Sequence, residues 1–112
     1  MRFIRAFWGD LNYDSGKYKS EIHNISKTSK LNDFIYVWGR ENYNYIKTLG
    51  FEARLICENP TEFGEDFLEN SDTFFLHKLD AVRRGCEEFD SVIFLDWDTK
   101  QLKEIDSNFF NL

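Results

Sequence analysis

The sequence predicts an α/β fold of three layers, α/β/α, built around a mainly parallel sheet, as in the Rossmann-like class. Short apolar runs rich in β-branched and aromatic residues alternate with segments of helical periodicity. The resulting order is β-α-β-α-β-loop-α-β, which is typical of parallel strands joined by right-handed crossovers. With 112 residues, the chain is expected to form a single domain spanning residues 1–112.

The N-terminal half supplies three of the predicted strands. Residues 2–8 (RFIRAFW) combine strand-forming side chains and stop at Gly9-Asp10, and residues 34–38 (FIYVW) and 53–57 (ARLIC) follow as the second and third strands. Helices are expected over residues 18–30 and over residues 42–49, where Gly50 suits the position after the helix end. The polar segment 12–17 is expected to be a mobile loop, either an ordinary connection or part of a binding site.

The C-terminal half predicts one helix and one strand. The helix covers residues 73–89, with Ser71 and Asp72 as candidate N-caps, after an acidic loop over residues 58–71. His77 and Lys78 lie off its apolar stripe, and His77 is expected at the surface. The strand 92–95 (VIFL) is continuously apolar, which is typical of a strand buried on both faces. The stripe that should face the core consists of Phe75, Leu79, Val82, Cys86 and Phe89.

Two carboxylates follow this last strand at once, in Asp96-Trp97-Asp98. Ligands in parallel sheets bind beyond the carboxyl ends of the strands, and residues two apart on extended chain can point to the same side. Mg²⁺ and Mn²⁺ are commonly held by one or two carboxylates, with substrate phosphates and water completing the shell. The pattern therefore predicts a metal–diphosphate site. The alternative is that the aspartates only cap a turn.

A second chemical interpretation of the same residues is a phosphatase. An apolar strand followed by Asp-x-Asp-x-Thr is the nucleophile signature of haloacid-dehalogenase-like phosphatases. In this chain Thr99 comes one position too early, and Lys100 stands where the threonine belongs. The motif also lies close to the end of the chain, whereas it normally opens the phosphatase domain, so the metal–diphosphate interpretation is preferred.

The helix carrying Lys78, followed by Val-Ile-Phe-Leu-Asp-x-Asp-Thr, resembles the nucleotide-sugar-binding half of GT-A-fold glycosyltransferases. The resemblance implies that Asp98 ligates Mn²⁺ or Mg²⁺ directly, and that Asp96 reaches the ribose or a metal-bound water. Lys78 resembles a helix lysine or arginine that faces the nucleotide in that family. The end of the first strand and the next loop would hold the base and ribose, with Trp8 or Tyr13 stacking on the base. The implied nucleotide-sugar-binding residues are Phe7, Trp8, Gly9, Asp10, Tyr13, Lys78, Asp96, Trp97 and Asp98.

Three functions remain open on this basis. The first is metal-dependent binding of a nucleotide sugar, UDP-glucose or a similar UDP-sugar, with glycosyltransferase or nucleotide-sugar hydrolase activity. The second is a non-catalytic nucleotide-sugar-binding module that needs a partner chain for chemistry, and the third is a degenerate remnant without a ligand. GT-A enzymes continue well beyond the DxD motif, whereas this chain has about fourteen further residues, so the acceptor and the catalytic residues stay unassigned.

Composition excludes several other classes. The net charge of −6 argues against nucleic-acid binding, because phosphate backbones require basic surfaces. The chain contains neither GxGxxG nor GxxxxGK[ST], so dinucleotide and P-loop sites are not supported. No apolar run approaches the roughly 18 residues of a membrane span. Cys57 and Cys86 are expected to be buried, reduced thiols, which fits a cytoplasmic protein.

The C-terminal segment predicts self-association. Residues 101–112 end in Phe109-Phe110 and Leu112, in a chain that already carries twelve Phe, five Tyr and three Trp. An uncovered apolar patch or sheet edge is commonly closed by pairing, and a symmetric dimer is the commonest closed arrangement. We therefore expect a homodimer with this segment at or near the interface.

Overall fold

The computed structural model describes residues 1–28, 33–62 and 75–98. Within these ranges, strands and helices alternate as the sequence predicts. None of the described helices combines the length and apolar character needed to cross a membrane. The elements are β1 (Arg2–Phe7), α1 (Tyr13–Thr28), β2 (Asp33–Trp38), α2 (Arg40–Thr48), β3 (Glu52–Cys57), α3 (Leu76–Glu88) and β4 (Val92–Phe94).

The four described strands form one parallel sheet in the order β3-β2-β1-β4. The chain moves outward from β1 through β2 to β3, and then crosses to the other side of β1 to add β4. The strand order therefore reverses between β1 and β4, which makes this point a topological switch point, where parallel sheets leave an open crevice at their carboxyl edge. The predicted α/β class with a parallel sheet is confirmed.

Two apolar clusters, one on each face of the sheet, hold the layers together. On one face, Phe7 of β1 and Ile35 and Val37 of β2 pack against α1 and α2. On the other face, Ile4 and Ala6 of β1 pack against α3 through Ala81. Successive residues of a strand point to opposite faces, so the two central strands, β1 and β2, are buried on both sides.

The start of α1 differs from the expectation. Segment 12–17 was expected to be a loop, but the helix already begins at Tyr13. Its first turn is irregular, because Ser15 and Gly16 both have left-handed backbone, with φ of 57° and 82°. The short polar residues conceal this turn in the sequence, since they are common in loops and at helix starts alike. The second helix likewise starts at Arg40, directly after Gly39.

The predicted core face of α3 is wrong. Leu79 and Phe75 are 65% and 53% exposed, and Cys86 is exposed as well. The expected burial of both cysteines is therefore wrong for Cys86, whereas Cys57, on β3, is half-buried. Val82 and Phe89 are half-buried. The buried face instead carries His77, Ala81 and Gly85.

The physical reason for this rotation is the close approach of α3 to the sheet. A Cβ atom on Gly85 would lie 2.6 Å from Cδ1 of Ile4, so even an alanine there would force the end of the Ile4 side chain to move. The two small residues of this face, Ala81 and Gly85, let the helix lie closer to β1 than larger apolar side chains would allow. Hydrophobic periodicity alone weighs large side chains most heavily and so selects the wrong face.

The last strand is shorter and less buried than expected. Regular pairing of β4 ends at Phe94, and its three residues are half-buried, because β4 lies at the edge of the described sheet. The Leu95 N–H still donates to the Ile4 carbonyl at 2.9 Å, and the chain then turns at Trp97-Asp98. The candidate N-caps Ser71 and Asp72, most of the predicted loop 58–71, and the predicted dimer segment 101–112 lie outside the described residues.

Candidate functional site

A crevice of about 290 Å³ opens at the switch point, at the carboxyl edge of the sheet. The end of β1 forms its floor, the turn after β4 forms one side, and the first turn of α3 forms the other. Six of the nine residues implied by the GT-A resemblance line this one crevice. Its full lining is Phe7, Trp8, Tyr18, Phe75, Lys78, Asp96, Trp97 and Asp98.

After β4, the two aspartates and the tryptophan between them point to different environments. Asp96 and Asp98 are exposed, whereas the Trp97 indole is half-buried. This indole packs edge-on against the rings of Phe7, at a centroid distance of 5.4 Å, and Tyr18, at 5.1 Å. The aromatic side chain therefore ties the turn to the core on the α1 side and leaves both carboxylates toward solvent. The pair was expected on extended chain, but in the structure a turn begins at Trp97, directly after Asp96, and includes Asp98.

Lys78 brings a positive charge to the same crevice from α3. Its Nζ lies 2.8 Å from Oδ1 of Asp96, and 5.4 Å from the centroid of the Phe75 ring. Within the described part of the chain, no hydrogen bond or ion pair engages the Asp98 carboxylate. One aspartate is thus already partnered by an ammonium group, and the other is available to a ligand.

The donor set fits a divalent cation only when a ligand shares it. No cluster of three or more histidine, cysteine, aspartate or glutamate side chains suited to a metal occurs in residues 1–28, 33–62 and 75–98. Two carboxylates are still the usual protein contribution to an Mg²⁺ or Mn²⁺ site that phosphate oxygens and water complete. Asp96 and Asp98 would hold such a cation together with a phosphorylated ligand, and would hold it weakly alone.

Arg5, which was not predicted from the sequence, supports the segment 96–98 from the interior of the sheet. This segment is called the carboxylate turn below. This arginine lies in the middle of β1 and is fully buried. Its Nε donates to Oδ2 of Asp33 at 3.1 Å, and one terminal nitrogen donates to the carbonyl oxygens of Asp96, at 3.0 Å, and Trp97, at 3.2 Å. A charged residue inside a strand of apolar residues was the signal that could have identified it.

His77 is buried, contrary to the expectation that it lies at the surface. Its ring stacks on Trp8 at 5.1 Å with an interplanar angle of 6°, and meets Trp38 edge-on at 5.0 Å. Its Nε2 accepts a hydrogen bond from the Glu62 N–H at 3.1 Å. The burial is stable because the ring is stacked and its acceptor is satisfied. His77 therefore holds the ring of Trp8, which lines the crevice, although His77 itself is not part of the lining.

A second cavity of about 300 Å³ lies on the same edge of the sheet, between β1 and β2, and takes the implied residues Gly9 and Asp10. Its polar groups are largely engaged with the protein. The buried Asn42 side chain donates to the carbonyls of Gly9 and Trp38, both at 2.8 Å. Asp10 Oδ1 accepts from the Asn12 N–H at 2.9 Å, which closes a local turn.

The one strongly charged pair at this second cavity is also internal. Arg40 Nε donates to Oε2 of Glu58 at 3.0 Å, and this hydrogen bond lowers the pKa of the Glu58 carboxyl. The remaining implied residue, Tyr13, stacks on Tyr18 at 5.6 Å, and Tyr18 in turn lines the crevice. The structure therefore distributes the implied residues over two neighbouring cavities and one supporting stack.

Comparison of the chain with models of known protein families, with curated proteins and with solved structures found no match.

Proposed function

We propose that this protein binds a nucleotide sugar, a UDP-sugar such as UDP-glucose, together with Mn²⁺ or Mg²⁺, and transfers or hydrolyses its glycosyl group. One observation carries the proposal: an ammonium group and two carboxylates, Lys78 with Asp96 and Asp98, share an aromatic-walled crevice at the switch point of a parallel sheet. The resemblance of the same residues to the GT-A donor site supports the choice of ligand class.

The mixed charge of the crevice favours a metal–diphosphate complex over either ion alone. A bare diphosphate would be repelled by two carboxylates, and a bare cation would have to compete with Lys78 for Asp96. A complex of the two meets both requirements, because the cation faces the carboxylates while a phosphate oxygen faces the ammonium group. Asp98 has the freer carboxylate and is proposed as the direct ligand, with Asp96 nearer the ribose or a metal-bound water.

The size of the crevice indicates which part of the ligand it takes. Its volume of about 290 Å³ is at the lower end of the range of roughly 300–1,000 Å³ for ligand sites, so it suits a diphosphate and one neighbouring group. The cavity beside Gly9 and Asp10 continues along the same sheet edge and has space for the uncharged nucleoside. Trp8 and Trp97 offer ring faces and edges to a sugar or a base.

The chain's own residues would contribute binding and charge neutralisation. A bound divalent cation supplies Lewis acidity to the departing diphosphate. Lys78 would hold a phosphate oxygen through a charge-assisted hydrogen bond and offset the negative charge that grows as the glycosyl bond breaks. The aromatic walls would limit water around the reacting bond, and the residue that activates the acceptor or water is unassigned.

A second candidate function is the non-catalytic module. Asp96 and Asp98 are the only carboxylates among the crevice-lining residues of the described chain, and no histidine lines the crevice. If both aspartates hold the cation, neither is free to act as a base, and the chemistry would need a group from another chain. This arrangement favours a module that holds the donor for a partner.

A titration separates these functions. UDP-glucose is titrated by calorimetry with and without Mn²⁺, free Mn²⁺ is followed by electron paramagnetic resonance, and released UDP is assayed over hours. We expect Mn²⁺-dependent binding. UDP release above the background rate supports an enzyme, and binding without release supports the module. Absence of binding for UDP-glucose and for a panel of other nucleotide sugars would contradict both.

A matched pair of variants ties the binding to the crevice. Asp98→Asn removes the proposed metal ligand without changing the size of the side chain. Mn²⁺-dependent binding should weaken by more than about a hundredfold, because loss of a group that only hydrogen-bonds to a metal ligand already costs roughly 10–100-fold in affinity. Asp90→Asn is the control, because Asp90 is also exposed but lies before β4, at the opposite edge of the sheet. Equal affinities for the two variants would remove Asp98 from the site.

A further inference from the structure

We infer that Arg5 is a positioning residue that sets the carboxylate turn, so that the buried interior of the sheet determines the geometry of the metal–diphosphate site. The inference rests on the proposed function for the meaning of the site, but its structural part can be tested without any ligand. Arg5 does not line the crevice; it acts through the backbone of Asp96 and Trp97.

The geometry is that of one side chain joining three separate parts of the fold. Arg5 belongs to the central strand β1, its partner Asp33 begins β2, and the turn it contacts follows β4. The same terminal nitrogen donates to two successive carbonyl oxygens, those of Asp96 and Trp97. Fixing two successive carbonyls orients two successive peptide planes, the one between Asp96 and Trp97 and the one between Trp97 and Asp98. These planes join the Cα atoms from which both aspartate side chains branch.

Packing alone does not explain an arginine at this position. Its neighbours on the same face of β1 are Phe3 and Phe7, both buried, so an apolar residue would continue the core. Buried ion pairs are often no better for stability than apolar residues of similar size, because both charges lose their hydration. The Asp33 carboxylate compensates the charge, and the contacts to the turn carbonyls are what an apolar residue could not supply.

The guanidinium group is also specific for this task. It is planar and has several donors in fixed directions, so it can reach the Asp33 carboxylate and the turn at the same time. A lysine at this position would keep the charge and could stay near Asp33, but a single ammonium group cannot reproduce the fixed fork. The comparison of arginine with lysine therefore separates the positioning of the turn from the mere presence of a buried cation.

The test uses the full chain and three variants: Arg5→Lys, Arg5→Met and Ile46→Val. Ile46 is fully buried on α2 in the apolar cluster against which Trp97 packs, so its shortening perturbs the core on that face and leaves the hydrogen bonds from Arg5 to Asp33 and to the turn carbonyls in place. The first readout is the position of the Trp97 indole N–H resonance without ligand, with that of Trp38 as internal reference. The second readout is the dissociation constant for UDP-glucose with Mn²⁺.

We expect the Trp97 resonance to move in Arg5→Lys and Arg5→Met while that of Trp38 stays in place, and neither to move in Ile46→Val. The affinity should fall about tenfold in Arg5→Lys, the equivalent of one charge-assisted hydrogen bond. An unmoved Trp97 resonance in Arg5→Lys would overturn the inference. Loss of the fold in Arg5→Lys would overturn it as well, because the arginine would then serve the sheet and not the turn.

The two proposals can fail separately. If the unmodified protein binds no nucleotide sugar, the proposed function fails, and the Trp97 resonance still decides whether Arg5 sets the turn. If the protein binds UDP-glucose and Arg5→Lys binds it equally well, the proposed function stands and the inference about Arg5 fails.

Discussion

Two cavities of nearly equal volume share the carboxyl edge of the sheet, but they use their polar residues differently. At the switch-point crevice, Asp98 is unengaged within the described chain, and Lys78 is held by an ion pair with Asp96 and by contact with the Phe75 ring. At the cavity between β1 and β2, Asn42 is committed to two carbonyls and Arg40 is paired with Glu58. Similar size therefore does not mean similar chemistry.

This difference indicates which cavity can recognise the charged part of a ligand. A side chain whose hydrogen bonds are already made inside the protein has little further capacity for a ligand, because binding would first have to break them. The crevice offers carboxylates to the cation and an ammonium group to the phosphate of a metal–diphosphate complex, whereas the neighbouring cavity offers shape and backbone groups.

The largest effect is expected from Asn42, and it should be an effect on stability. Asn42→Ala removes two buried hydrogen bonds and leaves the Gly9 and Trp38 carbonyls without this donor, so the free energy of unfolding should fall by about 2–4 kcal/mol. Asn44→Ala, at an exposed position on the same helix, is the control and should change stability little. Urea denaturation checks both. A nearly unchanged midpoint for Asn42→Ala would show that the second cavity is not structurally committed.

Lys78→Met should change two affinities in opposite directions. Removal of the ammonium group frees Asp96, so Mn²⁺ alone should bind more tightly. The same change removes a charge-assisted contact to phosphate, worth roughly 1.5–3 kcal/mol, so UDP-glucose with Mn²⁺ should bind about tenfold to a hundredfold more weakly.

Lys47→Met, an exposed lysine in the last turn of α2, is the control for Lys78→Met. Electron paramagnetic resonance of Mn²⁺ and calorimetry with UDP-glucose measure the two affinities separately. If both affinities shift in the same direction for Lys78→Met, the ion pair with Asp96 does not compete with the cation, and the proposed charge arrangement of the crevice is wrong.

His77→Leu tests whether a buried support behind the crevice matters. The variant loses the stack on Trp8 and the acceptor for the Glu62 N–H, so stability should fall by about 1–2 kcal/mol. Because Trp8 lines the crevice, UDP-glucose affinity should also fall slightly. Exposed His23 in α1 provides the control variant His23→Leu. Thermal unfolding together with calorimetry would contradict the assignment if both histidine variants behaved alike.

The smallest effect is expected from Asp80, whose charge is already paired on α3. Burial alone would raise the pKa of Asp80, but hydrogen bonds from Arg84 and Arg83 outweigh it and lower the pKa below its usual value. The folded state therefore binds this proton less readily than the unfolded state. The contribution to stability is complete above the unfolded pKa of about 3.9, and is lost as the pH falls through the folded value.

Asp80→Asn should therefore reduce stability by at most about 1 kcal/mol at pH 7, and by less at pH 3, where the unmodified protein has begun to lose the same contribution. Urea midpoints at the two pH values check the sign. A larger loss of stability at pH 3 than at pH 7 would mean that Asp80 with Arg83 and Arg84 does not behave as an ordinary ion pair. UDP-glucose affinity should not change, because Asp80 does not line the crevice.

The parallel sheet and the positions of the charged residues in the candidate site could both be predicted from the strands in the sequence. Apolar runs such as residues 34–38 are long enough to identify strands. Asp96 and Asp98 directly follow such a run, at the carboxyl end of a strand, where ligands bind in parallel sheets. With Lys78 three residues into α3, the topology alone brings these groups to one crevice. The order of the strands could not be predicted, because the alternation of strands and helices does not determine on which side of β1 the last strand pairs.

The residues that were missed or misplaced depend on contacts between distant parts of the chain. Gly85 and Ala81 define the core face of α3 because they are small, which a pattern of large apolar residues cannot reveal. His77 is buried because Trp8 and Trp38 happen to flank it. Arg5 is placed by a partner at residue 33 and by carbonyls at residues 96 and 97, and no local pattern contains that information.

The pairing of β1 with β4 also has a consequence for the order in which the protein folds. Arg2 pairs with Val92, and the bond from Arg5 to the Asp96 carbonyl joins residues 91 positions apart. The pairing of β1 with β2 spans a much shorter loop and can form earlier, because the entropy lost on closing a loop grows with its length. A three-stranded intermediate of β1, β2 and β3 would therefore bury much of the core while one side of β1 stays open. Such an intermediate could be compact and helical and still lack any capacity for ligand, so recovery of binding during refolding should lag behind recovery of secondary structure.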